Sequence, residues 1–166
     1  VDHKGAVPAQ LGYSGFPYTL CISVNEEICH GFPSDYVLKE GDLVSIDNVI
    51  EYDGGLADSC WTYAIGKLSD RDQKLMEVTL EALNRGVEAA RDGNRIGDIG
   101  YAIQNLCEVE NDFSVIRDFI GHGIGKTMHE DPQVPHYGKA GRGPRIQTGM
   151  VFTIEPMVAS GNWPME

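Results

Sequence analysis

Four side chains with metal-binding chemistry lie beside apolar runs or between glycines: Asp47, Asp58, His122 and Glu155. Glu155 ends the apolar run MVFTI, where a carboxylate is costly to bury unless it is paired or bound to a metal. Three carboxylates and one imidazole form an oxygen-rich set that suits Mn, Fe, Co or Zn better than a metal that prefers thiolates. The residue types therefore predict a metal centre.

Several anionic ligands around one point favour a pair of divalent ions, about 3.5 to 4 Å apart and bridged by carboxylate and water. Such a pair lowers the pKa of the bridging water, which can then attack a carbonyl carbon at neutral pH. Hydrolysis is therefore the reaction class that the predicted centre favours.

The two aspartates lie on neighbouring predicted strands. Residues 43–50 and 56–65 are mainly apolar and flank Asp53-Gly54-Gly55, a sequence that predicts a β-hairpin. We expect Asp47 and Asp58 to face each other across this hairpin, where like charges destabilise each other unless a cation lies between them. Taken alone, an Asp at the end of a strand is more often a turn former than a ligand.

Two histidines accompany a glycine-rich segment. His122 lies in GHGIG, between glycines that let the backbone approach another group closely, and His129 follows after a second loop-like stretch. A lone histidine is more often a hydrogen-bonding group than a metal ligand, and a second one nearby shifts that balance only slightly. The two histidines add modest support to the predicted metal centre.

The surrounding pattern predicts an α+β fold, because strands are followed by helices rather than alternating with them. Further strands are expected at residues 19–24, 115–120 and 150–154, with a loop at 121–149. Two amphipathic helices are expected between the hairpin and residue 115. The first follows Ser69, and the second buries Ile99, Ile103 and Leu106. The first helix is expected to bury a face of Met76, Leu80, Leu83, Val87 and Ala90.

Composition excludes several classes of function. The chain has 166 residues, 25 acidic against 13 basic side chains and a net charge of -12, which disfavours binding to nucleic acid or to an anionic membrane face. No apolar run is long enough to span a bilayer, and the first residues have no signal-peptide pattern. A cytoplasmic location is therefore the expectation, with neither nucleic acid nor membrane as a partner.

Seven segments, in order, resemble the type I methionine aminopeptidases of the pita-bread metallohydrolase family: CHGFP, GDLVSID, GLADSCWTYAIG, GNRIGDIG, GHGIG, MHEDPQVPHYG and MVFTIEPMV. The resemblance covers almost the whole chain. It implies a pita-bread fold and two divalent ions, with Co, Mn, Fe or Zn left open. By this resemblance Asp47 binds one ion and Asp58 bridges both. His122 and Glu155 then hold the other ion.

The same resemblance assigns catalytic and substrate-binding roles. Glu155 becomes the general base, and His129 stabilises the oxyanion that develops on the scissile carbonyl. His30, in CHGFP, approaches the scissile amide and protonates the leaving amine, although a loop histidine facing solvent is the alternative from the residues alone. The methionine pocket is expected to include Tyr13, Phe16 and Cys21, together with His30 and His129 at the scissile bond.

The resemblance also implies that residues 1–166 form a single metallopeptidase catalytic domain with an incomplete fold. The family's N-terminal helical segment and C-terminal strands, which carry a fifth ligand, have no counterpart in the sequence. Glu166 lies too close to Glu155, and lacks the motif, to replace that ligand. The missing glutamate leaves the activity of the 166-residue chain open.

The expected activity is metal-dependent removal of N-terminal methionine from peptides and nascent proteins with a small second residue. The ribosome is a candidate partner. A prolidase or aminopeptidase P is the nearest alternative within the same fold, and the GNRIGDIG and TIEPMV segments favour the methionine enzyme. A non-catalytic or weakly active pita-bread module that binds a protein partner is the alternative from another class, because the fifth ligand is absent.

Overall fold

The computed structural model describes residues 5–161. Within this range the chain forms two compact units. The first unit contains residues 5–69 together with Ile124–Met128, and the second contains Asp70–Gly123 and residues 129–161. Glu166, the residue considered above as a replacement ligand, lies outside the described residues.

A four-stranded antiparallel sheet forms the first unit. Its strands are β1 (Val7–Pro8), β2 (Cys21–Val24), β3 (Leu43–Tyr52) and β4 (Gly55–Ala64). Strands β1 and β2 pair with different parts of one edge of β3, and β4 pairs with the other edge along its full length. The strand expected at residues 19–24 and the hairpin are therefore confirmed. The former is β2, which is two residues shorter than expected.

The hairpin turn has the geometry that its sequence predicts. Asp53 and Gly54 both have positive φ, at 51° and 76°. Two residues of this conformation match the right-handed twist of the flanking strands, and Asp-Gly tolerates it well. The turn pairs Tyr52 with Gly55, which fixes the register of the whole ladder.

Two helices and a short π-helix lead the second unit: α1 (Asp70–Ala89), α2 (Ile96–Gln104) and the π-helix Asn105–Glu110. Helix α2 buries Ile99 and Ile103 as predicted, and Leu106 is buried in the π-helix. The predicted buried face of α1 is wrong at Leu80 and Val87, which are 44% and 53% exposed, whereas Ala90 of that face packs against the core. Its buried residues are Val78, Ala82 and Gly86.

Gly86 explains the rotated face of α1. A Cβ atom built on Gly86 would lie 2.9 Å from Cδ1 of Ile103 and 3.1 Å from Cγ2 of Ile154. A helix that presents small residues here can approach its neighbours closely, whereas a stripe of large aliphatic residues would hold them apart. The packing therefore selects the small-residue face, which apolar periodicity alone does not identify.

The strands of the second unit are short and differ from those expected. Strand β5 (Ser114–Val115) pairs with β8 (Val158–Ala159), and β6 (Gly121–Gly123) pairs with β7 (Glu130–Val134). The strands expected at residues 115–120 and 150–154 are wrong, as is a continuous loop over residues 121–149. In the 150–154 segment only Phe152 bridges to another chain segment, at Gly123. Phe152 and Ile154 of this segment pack against the core instead.

The core of the second unit includes Val78, Ala82, Ile99, Cys107 and Val134, with Ile154 packed against it. The first unit has a smaller apolar cluster of Val49, Ile124 and Met128. Among residues 5–161, no helix is both long and apolar enough to cross a membrane.

Candidate metal centre

The two aspartates of the first unit lie on one face of the sheet, but diagonally. Asp47 is paired with Cys60, and Asp58 is paired with Val49. The expectation that the aspartates stand directly opposite each other is therefore wrong, because the two-residue turn offsets them by two positions. Diagonal neighbours on one sheet face remain within reach of each other's side chains.

One oxygen of the Asp47 carboxylate lacks a hydrogen-bond donor. Its Oδ1 atom is buried and has no hydrogen-bond partner among the described residues. Burial, followed by repulsion from the Asp58 carboxylate, raises the pKa of Asp47 above its ordinary value. A buried, repelled carboxylate oxygen without a donor is the environment in which a bound cation supplies the missing stabilisation.

Gln10 and Cys21 surround Asp47 on the same sheet face. The Gln10 amide donates to Asp47 Oδ2 at 3.3 Å and to Cys21 Sγ at 3.4 Å. Cys21 pairs with Asp47 across β2 and β3, and its burial, followed by the charge of Asp47, raises the pKa of Cys21 to about 11. The thiol therefore stays protonated beside the carboxylate at neutral pH.

His30, in the CHGFP segment, is exposed and has a positive φ of 56°. Its Nδ1 is 3.6 Å from Cys29 Sγ. The following Gly31 is held against β2: its carbonyl accepts from Ile22 N–H at 2.9 Å, and its N–H donates to Ser23 Oγ at 3.1 Å. The loop therefore has a fixed base in the first unit and presents an accessible imidazole.

His122 lies in β6 of the second unit and is 8% exposed. Its Nδ1 is 3.0 Å from the carbonyl oxygen of Gly123. A carbonyl only accepts, so this contact requires the proton on Nδ1. In the neutral ring the lone pair is then on Nε2, which is the tautomer that ligates metals while a backbone carbonyl orients the ring.

Nε2 of His122 lies 3.5 Å from Oε1 of Glu155. With the proton on Nδ1, both of these atoms are acceptors. Two acceptor atoms held this close repel each other unless a proton or a cation lies between them. The geometry of this pair fits a shared metal ion.

The Thr153 hydroxyl links the two residues of this pair. It accepts from the His122 backbone N–H at 2.9 Å and donates to Glu155 Oε1 at 2.5 Å. The Thr153 N–H in turn donates to the His122 carbonyl at 2.8 Å. One side chain therefore fixes the backbone of one candidate ligand and the carboxylate of the other.

His136 contacts the backbone of Glu155. It is fully buried, and its Nε2 accepts from the Glu155 N–H at 3.1 Å. Burial lowers the pKa of His136 to about 4, so the ring is neutral in the folded protein at neutral pH. In a regular strand the Glu155 N–H would donate to a backbone carbonyl of the neighbouring strand. Here it donates to the His136 side chain.

His129 also belongs to the second unit. Its ring centroid lies 4.1 Å from that of His122, with the ring planes inclined by 50°. Both histidines line a cleft of about 450 Å³ with residues of β6 and β7. The structure therefore brings together three of the predicted site residues, His122, His129 and Glu155, within one unit.

The remaining predicted pocket residues lie in the first unit. Tyr13 begins the 3₁₀ helix Tyr13–Gly15 and is 42% exposed. Phe16 follows that helix, and its ring is 5.4 Å from the Phe32 ring and 6.1 Å from the Tyr18 ring. Cys21 is buried beside Asp47.

Three supporting residues were missed at the level of sequence: Gln10, Thr153 and His136. Thr153 had a detectable signal, since residues two apart in an extended segment share a face and Thr153 precedes Glu155 by two. His136 and Gln10 had none, because their hydrogen bonds join segments that only the tertiary fold brings together.

Comparisons with known proteins agree with this chemistry. Residues 2–164 match the model of metallopeptidase family M24. The chain is 49% identical to methionine aminopeptidase 1 of Bacillus subtilis over 162 residues, covering 98% of this chain and 65% of that protein. Its structure is similar to that of methionine aminopeptidase from Rickettsia prowazekii, with a TM-score of 0.95, 43% identity, and coverage of 99% and 66% of the two chains.

The fold is shared more widely. The prolidase of Pyrococcus horikoshii has a TM-score of 0.72 and 27% identity, over 84% of this chain and 42% of that one. The predicted pita-bread fold is thereby confirmed. The chain spans about 65% of the length of the curated relatives that it matches.

Family membership implies divalent metal ions, in agreement with the carboxylate and imidazole donors of the two units. The comparisons give no support to a non-catalytic module, because the similar proteins are named as aminopeptidases. The chain belongs to metallopeptidase family M24, in which it resembles the methionine aminopeptidases.

Proposed function

We propose that the protein carrying this chain removes N-terminal methionine from peptides and nascent proteins whose second residue is small. The observation that carries the proposal is the His122 and Glu155 pair, whose acceptor atoms face each other at 3.5 Å and so fit a shared cation. The identity to methionine aminopeptidases favours this substrate over the Xaa-Pro peptides of prolidases.

Asp47 and Asp58 are proposed to bind two divalent ions together with His122 and Glu155. Bound ions lower the pKa of a water held between them, so that it can attack at neutral pH. Support comes from each unit separately: the buried Oδ1 of Asp47 needs a positive partner, and His122 is fixed in the metal-binding tautomer. Co, Mn, Fe and Zn all suit these donors.

The catalytic roles follow from donor and acceptor chemistry. Glu155 accepts a proton from the attacking water while the water oxygen bonds to the scissile carbonyl carbon. His129 donates a hydrogen bond to the carbonyl oxygen as negative charge develops there. His30 gives a proton to the amine nitrogen as the carbon–nitrogen bond breaks, which releases methionine and a shortened peptide.

The substrate's methionine side chain is proposed to bind among Tyr13, Phe16 and Cys21. Two aromatic rings and a protonated thiol offer an apolar, polarisable surface that suits a thioether. A net charge of -12 favours the approach of a positively charged amino terminus. We further propose that residues 1–166 act as a single catalytic domain in the cytoplasm, on nascent chains at the ribosome.

The test measures methionine release from Met-Ala-Ser by the full-length protein with added Co or Mn, and again after chelation. We expect release that the chelator abolishes and that the metal restores. The 166-residue chain is assayed in parallel, since loss of activity in this chain alone would locate a required group in the rest of the protein. An Xaa-Pro dipeptide serves as the competing substrate.

Asp58→Asn and Glu51→Gln form a matched pair of variants on the same hairpin. Each removes one negative charge, but Glu51 is an exposed residue near the end of β3. Asp58→Asn should lower kcat by more than the roughly 100-fold typical of residues that only support a ligand, and Glu51→Gln should leave it unchanged. Equal activity of the two variants, or preferential cleavage of Xaa-Pro, would contradict the proposal.

A further inference from the structure

We infer that His136 is a positioning residue for the metal centre, which fixes the Glu155 backbone through its Nε2 atom. The inference rests on the proposed function, because it takes Glu155 as a metal ligand and general base. His136 is assigned to act through Glu155, whose N–H it accepts.

Glu155 lies outside the strands of the second unit. The segment around it forms no ladder, apart from the single bridge between Phe152 and Gly123. Pro156 restricts Glu155 to extended conformations but contributes no N–H of its own. The Glu155 N–H donates instead to His136 Nε2 at 3.1 Å. This hydrogen bond fixes the Glu155 backbone, and with it the position from which the carboxylate side chain extends toward the metal site.

His136 also connects Glu155 to the strand pair that carries His122. It lies two residues after Val134, the last residue of β7, and Val134 pairs with Gly121 of β6. His122 is the next residue in β6. One side chain therefore joins the backbone of one proposed ligand to the strand pair of the other, which limits how far their 3.5 Å separation can drift.

The burial of His136 argues against a role in core packing alone. It is 0% exposed, and its Nδ1 is buried without a hydrogen-bond partner among the described residues. Since Nε2 accepts, Nδ1 carries the ring proton, so a donor is kept inside the protein without an acceptor. An aliphatic side chain would fill this space without that penalty. Only the acceptor at Nε2 distinguishes histidine favourably at this position.

Two variants separate the acceptor from the volume. His136→Leu keeps a similar volume and removes the acceptor, whereas His136→Gln places an amide oxygen near the position of Nε2. Leu106→Ala is the control, because it truncates a buried residue of the same core in the π-helix. Each full-length variant is titrated with Co(II), followed by its visible absorption, and its kcat and KM for Met-Ala-Ser are measured.

His136→Leu should raise the dissociation constant of the metal by roughly 10- to 100-fold, as is typical when the support of a ligand is removed. His136→Gln should recover most of this affinity. KM for the peptide should stay near the wild-type value while kcat falls. Wild-type metal affinity in His136→Leu, or an equal loss in Leu106→Ala at matched stability, would overturn the inference.

If the variants do not fold, a measurement on the unsubstituted protein still tests the inference. The nitrogen-15 chemical shifts of His136 should show a neutral ring protonated on Nδ1, and a proton on Nε2 would exclude its acceptor role and overturn the inference. Failure of the proposed function looks different: a wild-type protein that binds Co(II) through these residues but does not release methionine refutes the aminopeptidase activity, whereas the affinity comparison still tests His136.

Discussion

In the first unit, Asp47 and Asp58 stand on adjacent strands of a ten-residue ladder. In the second unit, His122 lies on a three-residue strand and Glu155 lies on none. The ladder positions the aspartates by backbone pairing along its whole length. Side chains also hold the other two residues, through the Thr153 hydroxyl and the His136 ring, while His122 has a backbone partner in Gln133 of β7.

This difference teaches where each half of the candidate centre is sensitive to change. Backbone pairing along a ladder is distributed over many hydrogen bonds, so no single side chain sets the position of an aspartate. In the second unit one hydroxyl and one imidazole make the supporting hydrogen bonds. Removing either side chain should therefore displace a proposed metal ligand directly. We therefore expect substitutions of supporting residues to matter more in the second unit.

The largest expected effect is at Gly123. A Cβ atom there would lie 2.2 Å from the Asp131 carbonyl oxygen and 2.7 Å from its carbon, both backbone atoms that cannot rotate away. Gly123→Ala should lower the free energy of unfolding by about 3 kcal/mol or more and displace His122. Denaturant unfolding measures the first effect, and Co(II) titration the second.

Gly55→Ala is the matched change in the first unit, because its Cβ would meet only the Tyr52 carbonyl oxygen, at an ordinary 3.7 Å. Its effect should stay within about 0.5 kcal/mol. If Gly123→Ala and Gly55→Ala lowered the free energy of unfolding equally, backbone crowding at Gly123 would not explain a difference between the two units.

A smaller effect is expected at Thr153. Thr153→Val removes the acceptor of the His122 N–H and the donor to Glu155, and should lower the free energy of unfolding by about 1 to 3 kcal/mol. The dissociation constant of the metal should rise by roughly tenfold. Thr153→Ser keeps the hydroxyl and should restore the metal affinity.

Thr62→Val is the corresponding change on the ladder, where the hydroxyl meets Ser45 Oγ at 2.8 Å. Valine suits a strand, so this substitution should change the stability by less than about 1 kcal/mol and leave metal affinity intact. A metal defect in Thr62→Val would contradict the idea that the ladder alone positions the aspartates.

Gln10 offers a test within the first unit itself. Its amide donates to Asp47 Oδ2, but its own Oε1 is buried without a hydrogen-bond partner among residues 5–161. Gln10→Leu loses two long hydrogen bonds, to Asp47 and Cys21, and relieves one unsatisfied acceptor, so the change in unfolding free energy should be about 1 kcal/mol. Metal affinity that falls as far as in Thr153→Val would show that Asp47 also depends on a supporting side chain.

The smallest effect is a difference in thiol reactivity between the units. Cys60 is exposed beside Asp47, whereas burial raises the pKa of Cys107 in the second core to about 12. Iodoacetamide at pH 8 should therefore modify Cys60 rapidly and Cys107 only through unfolding, as followed by mass spectrometry.

The stability effect of Cys107 has a definite sign. The unfolded thiol ionises above about pH 9 and the folded one only near 12. The contribution of this thiol is complete below pH 9 and is lost as the pH rises toward 12. Replacing Cys107 with serine should remove that part of the alkaline decline. Rapid modification of Cys107 in the native state would contradict its placement in the core.

Local chemistry in the sequence determined a large share of this protein. The Asp-Gly turn specified the hairpin, since few residues accept its positive φ angles. Helical periodicity located α1 and α2, and the residue types of Asp47, Asp58, His122 and Glu155 indicated a metal centre before any fold was known. A two-residue turn at Asp53-Gly54 also implies the diagonal register of the aspartates, in place of the directly opposed pairing expected from the sequence.

Only the tertiary structure decided the rest. The buried face of α1 depends on how closely Gly86 lets its neighbours approach, and periodicity does not contain that distance. The support of Glu155 by His136 joins residues on separate segments, so no local pattern encodes it. Turns and helices follow from interactions between near neighbours in sequence, whereas the position of a ligand follows from which distant groups the packed core brings within hydrogen-bond distance.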